Sequence, residues 1–292
     1  LNGTGWGIGG RIAGRVSMHN DLYAVVGNPI SHSKSPRIHN LFARQTGEQL
    51  EYTAIQAPED DFVGTVKGFF ERGGKGLNIT VPFKEQAWQL AELRTQRAER
   101  AGAANTLYKD SKGSLTADNT DGKGLVTDLM VNHGVRLAGK RLLVLGAGGA
   151  VRGVLGPILA EEPAALTIAN RTLVKAESLV SFFESVAGDT HLEACGFEQP
   201  ADAFDVIING TSASLQGDLP PVSASVIGAD TVIYDMMYSL QTTTFNQWAL
   251  DQGATRVFDG LGMLVEQAAE SFRIWRGKTP DTRPVIEELR NG

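Results

Sequence analysis

The sequence predicts an α/β protein of two domains. Three observations carry that expectation: a strand, glycine turn and helix start in succession at 141–150; strand-like segments alternating with helix-like ones in both halves; and a turn-rich stretch at 118–122 between the halves. Arg141-Leu142-Leu143-Val144-Leu145 ends in a solid apolar run, the pattern of a strand buried on both faces. Gly146, Ala147, Gly148 and Gly149 follow at once, and Ala150 opens a helix. Small residues there let the backbone approach a ligand, and free N–H groups with the helix dipole favour a pyrophosphate. The sixth position of G-x-G-x-x-G/A is Val151, so the fingerprint is imperfect and a plain structural turn competes with it.

Length and composition set bounds. A chain of 292 residues can bury two modest cores. Its 42% apolar and 21% charged residues are ordinary for a soluble α/β protein. A formal net charge of −6 argues against a nucleic-acid binder, which shows a basic excess; a small anionic ligand needs only a few local cations. Cys195 is the single cysteine, so neither an internal disulfide nor a cysteine metal cluster can form, in keeping with a reducing cytoplasm. No apolar run approaches the roughly 18–20 residues that span a bilayer, so no membrane partner is expected. Monomer and homodimer both stay open. Residues 1–17 are glycine-rich with basic Arg11 and Arg15, and their composition differs from the rest. They read as an unstructured leader, expression-derived or mis-started, with the natural start near Met18.

In chain order, 22–27 is a short apolar strand that Asn28-Pro29 breaks. Ser31-His32-Ser33-Lys34-Ser35-Pro36 is a polar loop; Pro36 suits a first helical turn with Ser35 as N-cap, and Ile38, Leu41 and Phe42 supply the apolar face. The loop has two open readings: a helix cap, or hydroxyls and helix N–H groups that grip a carboxylate. Residues 52–56 alternate like a strand. A helix over 59–70 ends at Gly73-Gly74. The strand at 76–82 is stopped by Pro82, and Phe83-Lys84 opens another helix. Segments 103–109 and 114–117 form a strand pair closed by 110–113. A mostly parallel sheet is expected in this half.

After the turn at 118–122 a helix is expected over 123–132, with the domain boundary near Asp121. Strands follow at 141–145, 165–169, 204–208, 231–235 and 255–258, with helices at 150–160 and 173–186. Pro157 should kink the first of these helices. A last helix over 262–276 carries Leu264, Ala268, Phe272 and Trp275 on one side, while Met263, Gln267 and Glu270 fall on a neighbouring side. Polar Gln267 is thus placed to face a cleft.

The end of the second strand of a dinucleotide fold lies near the adenosine ribose. A site for NAD places an acid there, about 20 residues past the glycines, to bind the 2′-hydroxyl. Here that position is Asn170, within Ala169-Asn170-Arg171-Thr172, and no acid occurs. A guanidinium at Arg171 suits bidentate contact with a 2′-phosphate, and Lys175, one helical turn on, adds a second charge. A surface arginine at a strand end is the competing reading; the joint pattern favours NADP.

Candidates for proton chemistry are few. The five histidines show no metal-ligand spacing, and no metal is expected. Neither G-x-S-x-G nor a P-loop occurs. Lys84 opens a helix just after a strand, where side chains of an open α/β sheet face the cleft, although an isolated lysine is ordinarily solvated. Asp121 lies at the expected domain junction.

Five further motifs share one resemblance. They are Gly27-Asn28-Pro29-Ile30 with Ser31-His32-Ser33-Lys34-Ser35-Pro36, then Asn78-Ile79-Thr80-Val81-Pro82-Phe83-Lys84, Gly102-Ala103-Ala104-Asn105-Thr106, Asp118-Asn119-Thr120-Asp121-Gly122 and Asp259-Gly260-Leu261-Gly262-Met263. In this order and spacing they resemble the shikimate dehydrogenase family, from about Leu22 to the C-terminus. The resemblance implies reversible NADPH-dependent reduction of 3-dehydroshikimate to shikimate, in aromatic amino acid biosynthesis. It implies that Ser33 and Ser35 hold the substrate carboxylate with Tyr238 nearby. Thr80, Lys84, Asn105, Asp121 and Gln267 would hold the ring hydroxyls, and Lys84 and Asp121 would be the catalytic pair.

On the cofactor side the resemblance implies Gly146, Ala147, Gly148, Gly149, Ala150, Asn170, Arg171, Thr172, Lys175, Thr211, Met236, Gly260 and Met263. It also returns the C-terminal helices to the first domain. The expected division is 18–120 with 256–292 for substrate and catalysis, and 121–255 as a Rossmann-like NADP domain. The residue types agree with the chemistry, because an ammonium stabilises charge developing on a ketone oxygen and can deliver a proton.

Two departures stand out. Lys175 occupies a place where relatives put a second arginine, which keeps the charge and loses the planar fork. Asn209-Gly210-Thr211-Ser212-Ala213 is a loose version of the family's loop. The rival readings are a quinate/shikimate dehydrogenase that uses NAD, and a non-catalytic NADP-binding regulator on the same scaffold. The absent acid near Asn170 argues against the first, and the Lys84–Asp121 pair against the second.

Overall fold

The computed structural model describes residues 20–211, 213 and 218–292. The expected leader, the start near Met18, and Ser212 of the loop after Asn209 lie outside the described residues. The first sheet comprises β1 (Asp21–Gly27), β2 (Leu50–Gln56), β3 (Gly76–Ile79), β4 (Leu93–Arg94), β5 (Thr106–Lys109) and β6 (Leu115–Asp118). Helices α1 (Ser35–Thr46), α2 (Phe62–Glu71), α3 (Lys84–Leu90) and α4 (Gln96–Ala101) connect them. Then α5 (Asp121–Thr127) continues as a π-helical turn, Asp128–Asn132. The second sheet comprises β7 (Arg141–Leu145), β8 (Ala165–Ala169), β9 (His191–Cys195), β10 (Phe204–Asn209), β11 (Ile227–Asp235) and β12 (Arg256–Asp259). Its helices are α6 (Gly149–Leu159), α7 (Leu173–Phe183) and α8 (Thr244–Asp251), before α9 (Leu261–Arg276) and α10 (Arg283–Arg290) close the chain.

The first sheet has the order β2-β1-β3-β5-β6-β4, and three of its five pairings are parallel. The antiparallel pair β5–β6 is closed by a turn in which Asp110 Oδ1 accepts from the Lys112 and Ser114 amides. The second sheet is parallel throughout, in the order β12-β11-β10-β7-β8-β9. That is the doubly wound arrangement, and its order reverses between β7 and β10, where ligands bind at the carboxyl ends of the strands. Leu142, Leu143, Val144 and Leu145 are all fully buried because apolar clusters lie on both faces of β7.

Several boundaries differ from the sequence-based expectation. Ser35 is not the N-cap of α1: it is the first helical residue, and Lys34 precedes it without a side-chain cap. The Ser33 hydroxyl instead accepts from the Ser35 N–H at 3.3 Å. Asp121 and Gly122, expected in a turn, already belong to α5. The helix expected at 123–132 turns π-helical in its second half. α6 begins at Gly149 and runs past Pro157 to Leu159. Elements β4, α4, β9 and α8 have no counterpart in the sequence-based expectation, and α10 has one only through the resemblance. β4 is two residues long, and β9 is an edge strand half open to solvent, so neither carries the apolar signature of a buried strand.

α9 and α10 cross back to the first sheet. Val265, Ala268, Phe272, Val285 and Leu289 share one apolar core with Val25, Ile38 and Phe42 of β1 and α1.

Candidate active site

The carboxyl ends of β1 and β3 converge because their following loops are tied together: Asn28 N donates to the Val81 carbonyl at 3.1 Å, and Thr80 N to the Val26 carbonyl at 2.9 Å. Lys84, the first residue of α3, has its carbonyl bonded by the Ala104 amide at 2.8 Å. That bond sets it beside Asn105. The Asn105 carbonyl in turn accepts from the Ile79 amide at 2.8 Å and from Asn78 Nδ2 at 3.1 Å. Lys84 Nζ donates to Asp121 Oδ2 at 2.6 Å. Asn105 Nδ2 lies 2.9 Å from Asp121 Oδ1 and 3.1 Å from Gln267 Oε1.

Gln267 reaches the site from α9. Thr120 Oγ1 donates to the Gln267 carbonyl at 3.0 Å, and Gln267 Nε2 donates to the Leu264 carbonyl at 2.8 Å. One cavity of about 380 Å³ is lined by all eight expected substrate residues, Ser33, Ser35, Thr80, Lys84, Asn105, Asp121, Tyr238 and Gln267. Burial pushes the Tyr238 hydroxyl up from its ordinary range, so it enters the cavity as a neutral donor. Among the described residues no cluster of His, Cys, Asp or Glu could hold a metal ion.

Met236, Gly260 and Met263, expected on the cofactor side, line the same cavity. The other expected cofactor residues lie outside it, along the carboxyl edge of the second sheet. Gly146 follows β7 with φ +106°, a conformation that favours glycine. Gly148 is the N-cap of α6 without a side-chain cap, and Gly148, Gly149 and Ala150 are exposed. The first N–H groups of that helix are therefore open to an anion. Arg171, Thr172 and Lys175 stand exposed at the end of β8 and the start of α7, and Asn170 Nδ2 closes the turn onto the Thr172 carbonyl at 2.9 Å. Neither Arg171 nor Lys175 has a carboxylate within 4 Å among the described residues. Thr211 is held beside Gly146 by Asn209 Oδ1, which accepts from its hydroxyl at 2.7 Å and its amide at 3.1 Å. An open helix N-terminus, two unpaired cations and no acid fit the pyrophosphate and 2′-phosphate of NADP.

Two buried polar residues that support the site, Asn78 and Ser271, are not among the site residues expected from the sequence. Asn78 is buried, accepts from the Tyr52 hydroxyl at 2.7 Å, and links Asn105 to Ser271. Ser271 is fully buried against Asn78, Thr106 and Thr120. The available signal was its position four residues after Gln267, on the same helix face.

A doubly wound parallel sheet facing a Lys–Asp pair across one cavity marks an NADP-dependent oxidoreductase. The chain belongs to the shikimate dehydrogenase family. A family model described as the shikimate dehydrogenase substrate binding domain matches residues 25–107, one described as shikimate / quinate 5-dehydrogenase matches 129–216, and the shikimate 5′-dehydrogenase C-terminal domain matches 260–290. The shikimate dehydrogenase (NADP(+)) of Marinobacter nauticus is 71% identical over 94% of this chain and 99% of its own length. Among solved structures, the Thermus thermophilus shikimate 5-dehydrogenase in complex with NADP(H) and shikimate superposes with a TM-score of 0.80 at 29% identity, over 93% of this chain and 99% of that one. The 5-ketofructose reductase of a Gluconobacter strain gives 0.83 at 28% identity, over 94% and 99%.

Proposed function

We propose that this chain reduces 3-dehydroshikimate reversibly to shikimate in the cytoplasm, with NADPH as hydride donor. The observation that carries the reading is one cavity holding the Lys84–Asp121 pair, the Ser33 and Ser35 hydroxyls, and the Met236, Gly260 and Met263 edge of the second sheet. The Thermus thermophilus relative is named as a complex with NADP(H) and shikimate, which supports it. Among the described residues no helix is long and apolar enough to cross a membrane.

In this reading Ser33 and Ser35 hold the substrate carboxylate with Tyr238 beside them, and Thr80, Asn105 and Gln267 hold the ring hydroxyls. Bound NADPH supplies a hydride to the ketone carbon. Lys84 Nζ hydrogen-bonds the ketone oxygen, stabilises the negative charge that develops there and transfers a proton to it. The neutral amine then takes a proton from solvent; in the oxidative direction it accepts the hydroxyl proton. Asp121 holds the ammonium in place and accepts from a ring hydroxyl. Gly146 to Ala150 receive the pyrophosphate, Asn170, Arg171, Thr172 and Lys175 the 2′-phosphorylated ribose, and Thr211 with Met236, Gly260 and Met263 the nicotinamide end.

The division into 18–120 with 256–292, and 121–255, belongs to this proposal. It is supported by the core that α9 and α10 share with β1 and α1.

Nicotinamide absorbance with shikimate or quinate, and with NADP or NAD, tests the reading. The expected result is reduction of NADP by shikimate, with quinate and NAD much poorer. Binding of NADPH with no absorbance change from shikimate overturns it in favour of a regulator.

A further inference from the structure

A second cavity, of about 260 Å³, opens between α4, α5 and α6 and shares no lining residue with the first. Val126, Pro157 and Ala160 give it an apolar floor. Arg97, Arg100, Lys123 and Arg152 stand around that floor, with Glu161 as the only acid in the lining.

Arg97 is already neutralised, with ion pairs to Asp118 at 2.6 Å and Glu270 at 2.9 Å. The other three are not. Arg152 Nε donates to the Arg100 carbonyl at 3.0 Å, and its guanidinium lies 4.7 Å over the Phe182 ring. Among the described residues none of Arg100, Lys123 and Arg152 has a carboxylate within 4 Å. Three cations against one acid leave a surplus of positive charge over a carbon surface.

We propose that this cavity is a binding site for small aromatic carboxylates. The surplus cations select an anion, through charge-assisted hydrogen bonds. The apolar floor selects a ligand with a ring to bury, and disfavours a bare inorganic anion that would leave the floor uncovered. The volume suits a single-ring ligand and excludes a dinucleotide.

The position also gives the site leverage on turnover. α4 connects β4 to β5 of the first sheet and α6 belongs to the second, so a ligand held by Arg100 and Arg152 ties the two together. α5 and α6 are in close contact below the cavity: a Cβ built on Gly122, the neighbour of Asp121, would lie 2.6 Å from Pro157 Cγ. A ligand in the cavity thus bears on α5, which opens with Asp121, through the packing of Gly122 against Pro157 and the Gly153 carbonyl, without entering the catalytic cavity.

The test uses benzoate as probe and benzamide as its neutral counterpart, on the full chain with NADP and shikimate saturating. Saturation-transfer NMR should show benzoate bound and benzamide not, and benzoate should lower kcat while leaving the shikimate KM unchanged. The double variant Arg100→Ala/Lys123→Ala should weaken benzoate at least tenfold and keep the basal kcat. Three results overturn the proposal: displacement of benzoate by NADP and shikimate, equal binding of benzamide, or undiminished affinity in the double variant.

Discussion

Lys84 Nζ lies 2.6 Å from Asp121 Oδ2, joining the first residue of α3 to the first residue of α5 across 37 positions of sequence. The second oxygen of the same carboxylate meets Asn105 Nδ2 at 2.9 Å, so Asp121 is held from two sides. An ammonium has three N–H bonds. One is engaged by Asp121, and the lysine side chain is 32% exposed toward the cavity, which leaves the others for a substrate oxygen.

Replacing Lys84 with Ala should lower kcat by about 10²- to 10⁴-fold, the range for a positioned acid–base group. NADPH affinity, followed by nucleotide fluorescence, should stay within about twofold because the lysine is outside the expected phosphate sites. Single-turnover hydride transfer at a near-normal rate would remove Lys84 from the mechanism.

Ser33→Ala and Ser35→Ala should each raise the shikimate KM by roughly tenfold or more, as expected for a lost hydrogen bond to a charged group. kcat should change far less. A fall in kcat at constant KM, in steady-state kinetics, would contradict a carboxylate-holding role.

Arg171→Ala should raise the KM for NADP by roughly 10- to 100-fold and leave the KM for NAD unchanged, because in the proposed site the guanidinium serves the 2′-phosphate alone. Lys175→Ala should have a smaller effect, since a point charge on a flexible stem binds phosphate less selectively than a planar fork. Parallel titrations with the two nucleotides check both.

His39 is fully buried, stacked on Tyr52 at 4.2 Å, and neither ring nitrogen makes a well-formed hydrogen bond. Desolvation of the imidazolium pushes its pKa down to about 3, from the ordinary 6.5. The unfolded chain therefore takes up this proton below 6.5 while the folded chain stays neutral. The neutral-state stability is complete above that value and is lost as pH falls from it toward 3. Between pH 7 and 5 the loss should be about 2 kcal/mol by linkage. Denaturant unfolding of His39→Leu at both pH values should show that increment missing.

Gly260→Ala should destabilise the fold by about 1–3 kcal/mol, the usual range for overpacking. A Cβ at this position would meet the Met236 carbonyl oxygen, which is backbone and cannot swing aside. Calorimetry should show a lowered Tm, and an unchanged Tm would mean that the junction between β12 and α9 yields.

Some of this molecule is legible along the chain. β7 and α6 are, because a strand buried on both faces needs an unbroken apolar run and the turn after it needs small residues. β9 is not, because an edge strand with alternating exposure has no such run. A Ser-Pro pair fits both the cap and the first turn, and what moves the cap back to Lys34 is the 3.0 Å bond from the Ile38 N–H to the Lys34 carbonyl, which makes Ser35 the first helical residue.

The sequence by itself determined the class of fold and favoured NADP over NAD, through the glycines after β7, the absent acid at Asn170 and the cation at Arg171. These are local signals, each read within one strand, turn or helix start. Only the tertiary structure decided that Lys84, Asn105, Asp121 and Gln267 share one cavity. Gln267 lies 162 positions from Asn105 and reaches it because α9 crosses back to bury its apolar stripe against the first sheet. Periodicity shows that such a stripe exists, but which surface it covers depends on the order of strands and the whole apolar area removed from water, and no local pattern encodes either.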